Sequence, residues 1–163
     1  IKTNNQFINF EEKKINFVFD EKAANSEKLR KIKADFEKLS LAMENIIENS
    51  IKYTPPGGKI TITLNNKGDS VLITVKDTGV GIPDDQQVKL FDKFFRGSNV
   101  VRLQTDGSGL GLFIAKNIID RHNGDIFIES KEGEGTYVFI KLPFVKLGTL
   151  TPRQKFGDFI KGF

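Results

Sequence analysis

Asn45, Asn49, Lys52 and Tyr53 follow one another at intervals of four, three and one residues. On a helix that spacing puts all four side chains on one face. A carboxamide oxygen can ligate Mg²⁺, a hard cation that keeps several waters and takes its other ligands from phosphates. A lysine one turn further on neutralises phosphate charge, and a tyrosine ring can lie against a base. The same stripe also suits an ordinary exposed helix face. Asp77 precedes Gly79 and Gly81 at the end of a β-rich run. A buried carboxylate there only accepts hydrogen bonds, which suits the exocyclic amine of adenine. The two glycines remove side chains where a base must approach the backbone, although Asp and Gly are equally at home in a plain strand-end turn.

Gly107, Gly109 and Gly111 lead into a helical pattern. Successive N–H groups at a helix N-terminus bind phosphate, helped by the helix dipole; a flexible loop before a helix has the same composition. Two other phosphate loops are excluded. A Walker loop needs Gly-Lys-Ser/Thr, and the dinucleotide fingerprint needs a glycine where this chain has Leu112. Phe91, Phe94 and Phe95 read singly as core residues. Arg96 follows them into an aperiodic stretch, where a guanidinium can meet a terminal phosphate or solvent.

These residues need elements to hold them. Residues 1–14 have a weak helical pattern. Ile15 to Phe19 alternates as a strand, and Asp20 to Lys28 is a polar loop. Asp35 is placed to cap a helix from Phe36 to Tyr53, whose core stripe is Leu39, Ala42, Met43, Ile46 and Ile47. Pro55 to Gly58 ends it. Lys59 to Leu64 and Val71 to Lys76 form an antiparallel hairpin around Asn65 to Asp69. Asp84 to Phe95 is predicted as a short helix, and Arg96 to Asp106 as a mobile loop. In the helix opened by Gly107 to Leu112, the residues Leu110, Phe113, Ile114, Asn117, Ile118 and Arg121 lie on one face, apolar except for Asn117 and Arg121. A second hairpin pairs Asp125 to Ser130 with Thr136 to Leu142, and Pro143 ends it. Hairpins separated by helices argue an α+β, two-layer sandwich rather than a doubly wound sheet.

With 163 residues the chain is long enough for one domain with a sizeable core. Its 28% charged and 38% hydrophobic residues mark it as globular. The net charge of +4 is spread along the chain, which gives no nucleic-acid footprint. The absence of cysteine excludes disulfides, thiolate metal sites and cysteine nucleophiles. No apolar run has the length of a membrane span. Because the chain starts at Ile1, it is expected to be a fragment of a longer protein, with room for a membrane anchor upstream. In the tail, Thr151-Pro152-Arg153-Gln154 has capping-box spacing, and Phe156, Phe159, Ile160 and Phe163 follow helical spacing. Such a helix suits a membrane, a partner or this domain itself.

In this order the four motifs resemble the catalytic, ATP-binding domain of sensor histidine kinases, within the ATPase superfamily shared with gyrase, heat-shock chaperones and mismatch-repair proteins. Glu44 to Pro55 is similar to the family's N box, Asp77 to Pro83 to its first glycine box and Leu90 to Gly97 to its F box. Gly107 to Leu112 resembles the second glycine box, and Gly133 to Thr136 a small glycine–threonine motif. The resemblance implies a Bergerat-type fold, a mixed, mostly antiparallel sheet on about three helices. The ATP-binding domain would span residues 1–145, with a lid at about 96–108 and an extension at 146–163.

The resemblance also implies roles. Asn49 would hold Mg²⁺, with Asn45 beside it near the phosphates. Lys52 would contact phosphate, Tyr53 the purine and Asp77 the adenine amine. Gly79, Gly81 and Ile82 would shape the adenine floor. Phe94 would belong to the nucleotide site, and Arg96 would approach the γ-phosphate. Gly107, Ser108, Gly109, Leu110, Gly111 and Leu112 would line the phosphates, and Thr136 would sit near the base. Asn45, Asn49, Lys52 and Arg96 would carry the chemistry, with ATP and Mg²⁺ as cofactors and ADP as product. The acceptor would be a histidine on a separate dimerisation domain, with a response regulator downstream, and the isolated domain would be a cytoplasmic monomer. His122 matches a family histidine that is not the acceptor. A chaperone-type ATPase switch would carry a catalytic glutamate four residues before the metal asparagine, where this chain has Asn45. A nucleotide-sensing module and a serine-phosphorylating regulator are the other readings.

Overall fold

The computed structural model describes residues 13–20, 31–101 and 107–145. The expected N-terminal helix (residues 1–14) lies outside these but for its last two residues. The polar loop after β1 lies outside but for Asp20, and the tail helix lies wholly outside. A five-stranded sheet has the order β1-β2-β3-β5-β4. Its strands are β1 (Asn16–Asp20), β2 (Lys59–Lys67), β3 (Ser70–Asp77), β4 (Asp125–Lys131) and β5 (Gly135–Pro143). β1 lies parallel to β2, and every other pairing is antiparallel. Both expected hairpins form. The expected sheet, mixed and mostly antiparallel, is therefore present, with its parallel pair made by the crossover through α1.

Two long helices, α1 (Phe36–Tyr53) and α3 (Gly111–Arg121), pack on one face. α2 (Ser98–Val101) is a four-residue third helix. Alternation along each strand aims Ile60, Ile62, Val75, Ile126, Val138, Ile140 and Leu142 at the helices. There they meet Ala42, Ile46 and Ile51 of α1, and Ala115, Ile118 and Ile119 of α3. Asp35 caps α1 as expected, its carboxylate accepting the Lys38 N–H at 3.1 Å.

Three local expectations change. Asp84 to Phe95 is not one helix: a 3₁₀ turn covers Asp84–Lys89 and then the chain breaks away. Its polar side chains serve tertiary bonds. Gln87 donates to the carbonyls of Ile82 (3.2 Å) and Ser130 (2.7 Å), and Phe94 stands at φ +64°, where a helix cannot continue. Part of the expected loop, Ser98–Val101, is helical. Gln86 accepts the Ser98 N–H at 2.8 Å and donates to its hydroxyl at 2.7 Å, which caps a turn too short to show a period. Residues 102–106 of the expected lid lie outside the described residues. The buried residues of α3 share only Ile118 with the face drawn from sequence. Asn117 and Arg121 are exposed, and Ala115 and Ile119 are buried.

Candidate functional site

The four orphan carbonyls at the C-terminal end of α1 all find partners. Ser50 O accepts from Thr54 N (3.1 Å) and Thr54 Oγ1 (2.6 Å), and Tyr53 O accepts from Val80 N (3.2 Å). Ile51 O and Lys52 O accept from the Lys13 ammonium, at 3.0 and 2.8 Å. This firmly held end of α1 forms one wall of a cavity of about 650 Å³. Asn45, Asn49, Lys52 and Tyr53 face it from α1. Asp77, Gly81, Ile82, Arg96 and Thr136 also line it, as do Gly107, Ser108, Gly109, Gly111 and Leu112.

Asp77 is 5% exposed. Register places it opposite Thr136, so the two strands share one corner of the cavity. One carboxylate oxygen accepts from the N–H groups of Gly79 (2.9 Å) and Thr136 (3.1 Å), and Ser50 adds a side-chain hydrogen bond. Burial pushes the carboxyl above its ordinary value, and these hydrogen bonds pull the other way. Lone pairs are left for a donor from a ligand.

The glycines of this corner have a packing reason to be small. A Cβ on Gly81 would stand 1.9 Å from the Lys131 carbonyl oxygen, and one on Gly79 would stand 2.8 Å from the Tyr53 carbonyl and from Asp77 Oδ1. At both positions protein backbone comes close to where a side chain would begin. Gly81 also holds φ +66°. Gly79 therefore does not line the cavity; it holds Asp77 from behind.

Asn45 Nδ2 donates to Leu41 O at 2.8 Å, which leaves its Oδ1 turned toward Gly111: a Cβ there would be 2.9 Å away. Asn49 is half-buried, and its carboxamide has no hydrogen-bond partner among the described residues. A half-buried oxygen without a partner in a cavity that also holds a lysine and an arginine fits Mg²⁺ with phosphate and water as remaining ligands. No cluster of three or more His, Cys, Asp or Glu residues occurs among the described residues, so a cage made of protein alone is not offered. The Lys52 ammonium lies 5.4 Å from the Tyr53 ring centre and close to Gly107, where a Cβ would stand 2.7 Å from it. Burial raises the Tyr53 pKa, and the nearby Arg96 charge lowers it. No side chain caps α3, so its first-turn N–H groups face the cavity, where an anion would satisfy them.

Phe94 and Leu110 do not line the cavity. Phe94 is 70% exposed and its N–H donates to Gly109 O at 3.1 Å, which joins the phenylalanine-rich segment to the glycine loop. Phe95 takes the lining position. Its left-handed predecessor turns the backbone by one residue, which composition does not reveal. Ser50, Leu90, Asn99, Val100, Ile128 and Val138 also line the cavity and were not anticipated. For the apolar ones the ordinary core pattern hid a second duty. Ser50 carried the clearest signal, as a polar residue inside a helix's apolar stripe.

Residues 34–146 match the family described as histidine kinase-, DNA gyrase B-, and HSP90-like ATPase, and the chain belongs to that family. Within it the chain has the ATP-binding catalytic domain of a sensor histidine kinase. It is 40% identical over 115 residues to the sensor histidine kinase WalK of Bacillus subtilis, covering 69% of this chain and 19% of WalK. A nucleotide-free catalytic domain of the histidine kinase ThkA superposes with a TM-score of 0.67 at 31% identity, over 82% of each chain. ThkA in complex with the response regulator protein TrrA superposes at 0.65 with 28% identity, over 83% of this chain and 36% of that one. The chain thus spans about a fifth of the length of WalK. Among the described residues no helix is long and apolar enough to cross a membrane.

Proposed function

We propose that this domain transfers the γ-phosphoryl group of Mg–ATP to a histidine on a separate domain of the same longer protein. The observation that carries this is one cavity where an unpartnered carboxamide, a lysine, an arginine, a buried carboxylate and an uncapped helix N-terminus meet. Such a set supplies metal, phosphate and adenine contacts and leaves the chemistry to positioning and charge stabilisation. Asn49 holds Mg²⁺ with Asn45 beside it. Lys52 and the backbone of Gly107 to Leu112 hold the phosphates, and Arg96 meets the γ-phosphate. Asp77 accepts the adenine amine, Tyr53 lies against the purine, and Gly81, Ile82 and Thr136 border it. The acceptor nitrogen forms the new P–N bond as the bond to the β-phosphate oxygen breaks, and ADP leaves.

Asn45 favours this over an ATPase switch, because a carboxamide cannot take a proton from an attacking water as a glutamate would. Residues 96–108 act as the lid. The ThkA–TrrA complex supports a response regulator as the next phosphate carrier. The domain works on the cytoplasmic side, as a monomer when isolated. The test is labelled ATP given to this chain with and without a histidine-bearing dimerisation domain. Acid-labile, base-stable label on that domain is the expected result, and its absence in the presence of bound ATP would refute the transfer.

A further inference from the structure

Lys13 stands on the segment leading into β1, 38 residues or more before every group it bonds. An ammonium has three donors, and this one uses them on three carbonyls: Ile51 (3.0 Å), Lys52 (2.8 Å) and Thr54 (3.2 Å). The lysine's own carbonyl accepts the Gly57 N–H at 2.9 Å, and Asn16 N–H donates to Gly58 O at 2.9 Å. The segment is thus bonded to both sides of the turn that ends α1. Positive charge at a helix C-terminus also meets the favourable end of the helix dipole. Burial lowers the Lys13 pKa, the cost of placing an ammonium there.

What this end of α1 carries makes the contact more than a cap. Lys52 and Tyr53 project from it into the cavity. The Tyr53 carbonyl receives the Val80 N–H, which ties the first glycine loop to the same turn. We propose that Lys13 is a positioning residue for nucleotide: its ammonium fixes the last turn of α1 and so sets Lys52, Tyr53 and the loop beside Asp77. A displacement of the segment entering β1 then reaches Lys52 and Tyr53 through this side chain, beside the backbone bonds to Gly57 and Gly58, which makes Lys13 a point of regulation. The inference rests on the reading of the cavity as the ATP site.

The experiment titrates Mg–ADP and a non-hydrolysable ATP analogue into the full chain and into Lys13→Met, Lys13→Arg and, as a charge control, Lys67→Met. Circular dichroism and melting curves establish that each is folded at the working temperature. A positioning role predicts that Lys13→Met weakens binding about tenfold, in the range of site-to-site coupling. Lys13→Arg restores most of it, and Lys67→Met binds as the parent does. In the nucleotide-free Lys13→Met protein, amide resonances of Lys52, Tyr53 and Val80 should move. If Lys13→Met does not fold, Lys13→Gln replaces it and is read in the same way. A lowered melting temperature with parental affinity means a cap and nothing more, and overturns the proposal; so does a loss that arginine does not restore. If the parent chain itself fails to bind nucleotide, the ATP reading falls, and this inference with it.

Discussion

At the scale of single residues, Asp77 is the group whose chemistry can be tested most directly. Its folded pKa lies above the ordinary 3.8, so between those two values the folded chain holds more protons than the unfolded one. The group's contribution to stability is therefore greatest in acid and declines as pH rises through that window. Nucleotide affinity should run the opposite way, falling as acid protonates the acceptor of the adenine amine. A titration of ATP affinity against pH, compared with urea unfolding over the same range, would show the two trends diverging. In Asp77→Asn the Gly79 and Thr136 N–H groups would keep the carboxamide oxygen and turn the NH₂ toward the base. ATP affinity should drop about 10- to 100-fold, the cost of facing donor with donor, and preference over GTP should vanish. Retained preference would remove Asp77 from base recognition. Asn49→Ala makes a separate case. Mg–ATP affinity should fall about tenfold, the worth of one charge-assisted contact, while metal-free ATP binds as before. Equal losses with and without Mg²⁺ would mean that Asn49 is not the ligand.

At the scale of elements, the junction of the first glycine loop with the β4–β5 turn is the place where backbone packing decides. Gly133 N–H donates to Val80 O at 2.8 Å, and the Lys131 carbonyl fills the space a side chain at Gly81 would need. Gly81→Ala should cost about 2–4 kcal/mol, from overpacking and the positive φ together, read as a lower urea midpoint. An unchanged midpoint would contradict the geometry. Elements of this size were legible from sequence where a period or a stop signal marked them. Asp35 and the Pro55-Pro56-Gly57-Gly58 stop bracket α1, alternation draws both hairpins, and the stripe from Asn45 to Tyr53 does face one cavity. What escaped notice depended on long-range bonds. The 3₁₀ turn at Asp84–Lys89 exists because Gln87 reaches Ser130, 43 residues away. α2 exists because Gln86 reaches back to cap it. Lys13 was one polar residue among many until folding placed it under α1. Gly79 and Gly81 were recognised for the right neighbourhood, but the close approach of the Tyr53 and Lys131 carbonyls was not foreseen, since spacing does not reveal a passing strand.

At the scale of the whole molecule, the proposed transfer needs an acceptor as well as the groups around the cavity. His122, the only histidine, caps the C-terminal end of α3. The opposite end of that helix meets the cavity, and 11 residues of helix separate the two by about 16 Å at 1.5 Å per residue. The isolated chain should therefore bind ATP and take up almost no stable label; label that disappears in His122→Ala would show the acceptor to be in this chain after all. The bonds of His122 point to a different duty. Its Nε2 accepts the Asp35 N–H at 3.0 Å, so the proton sits on Nδ1, which meets Ile118 O at 2.7 Å. The ring fastens the beginning of α1 to the end of α3, at the extremity furthest from the cavity. α1 is thus held at both ends, by His122 at its start and by the Lys13 and Val80 bonds at its last turn. A rod clamped at both ends can bow but not swing, so Asn45, near its middle, stays opposite Gly111.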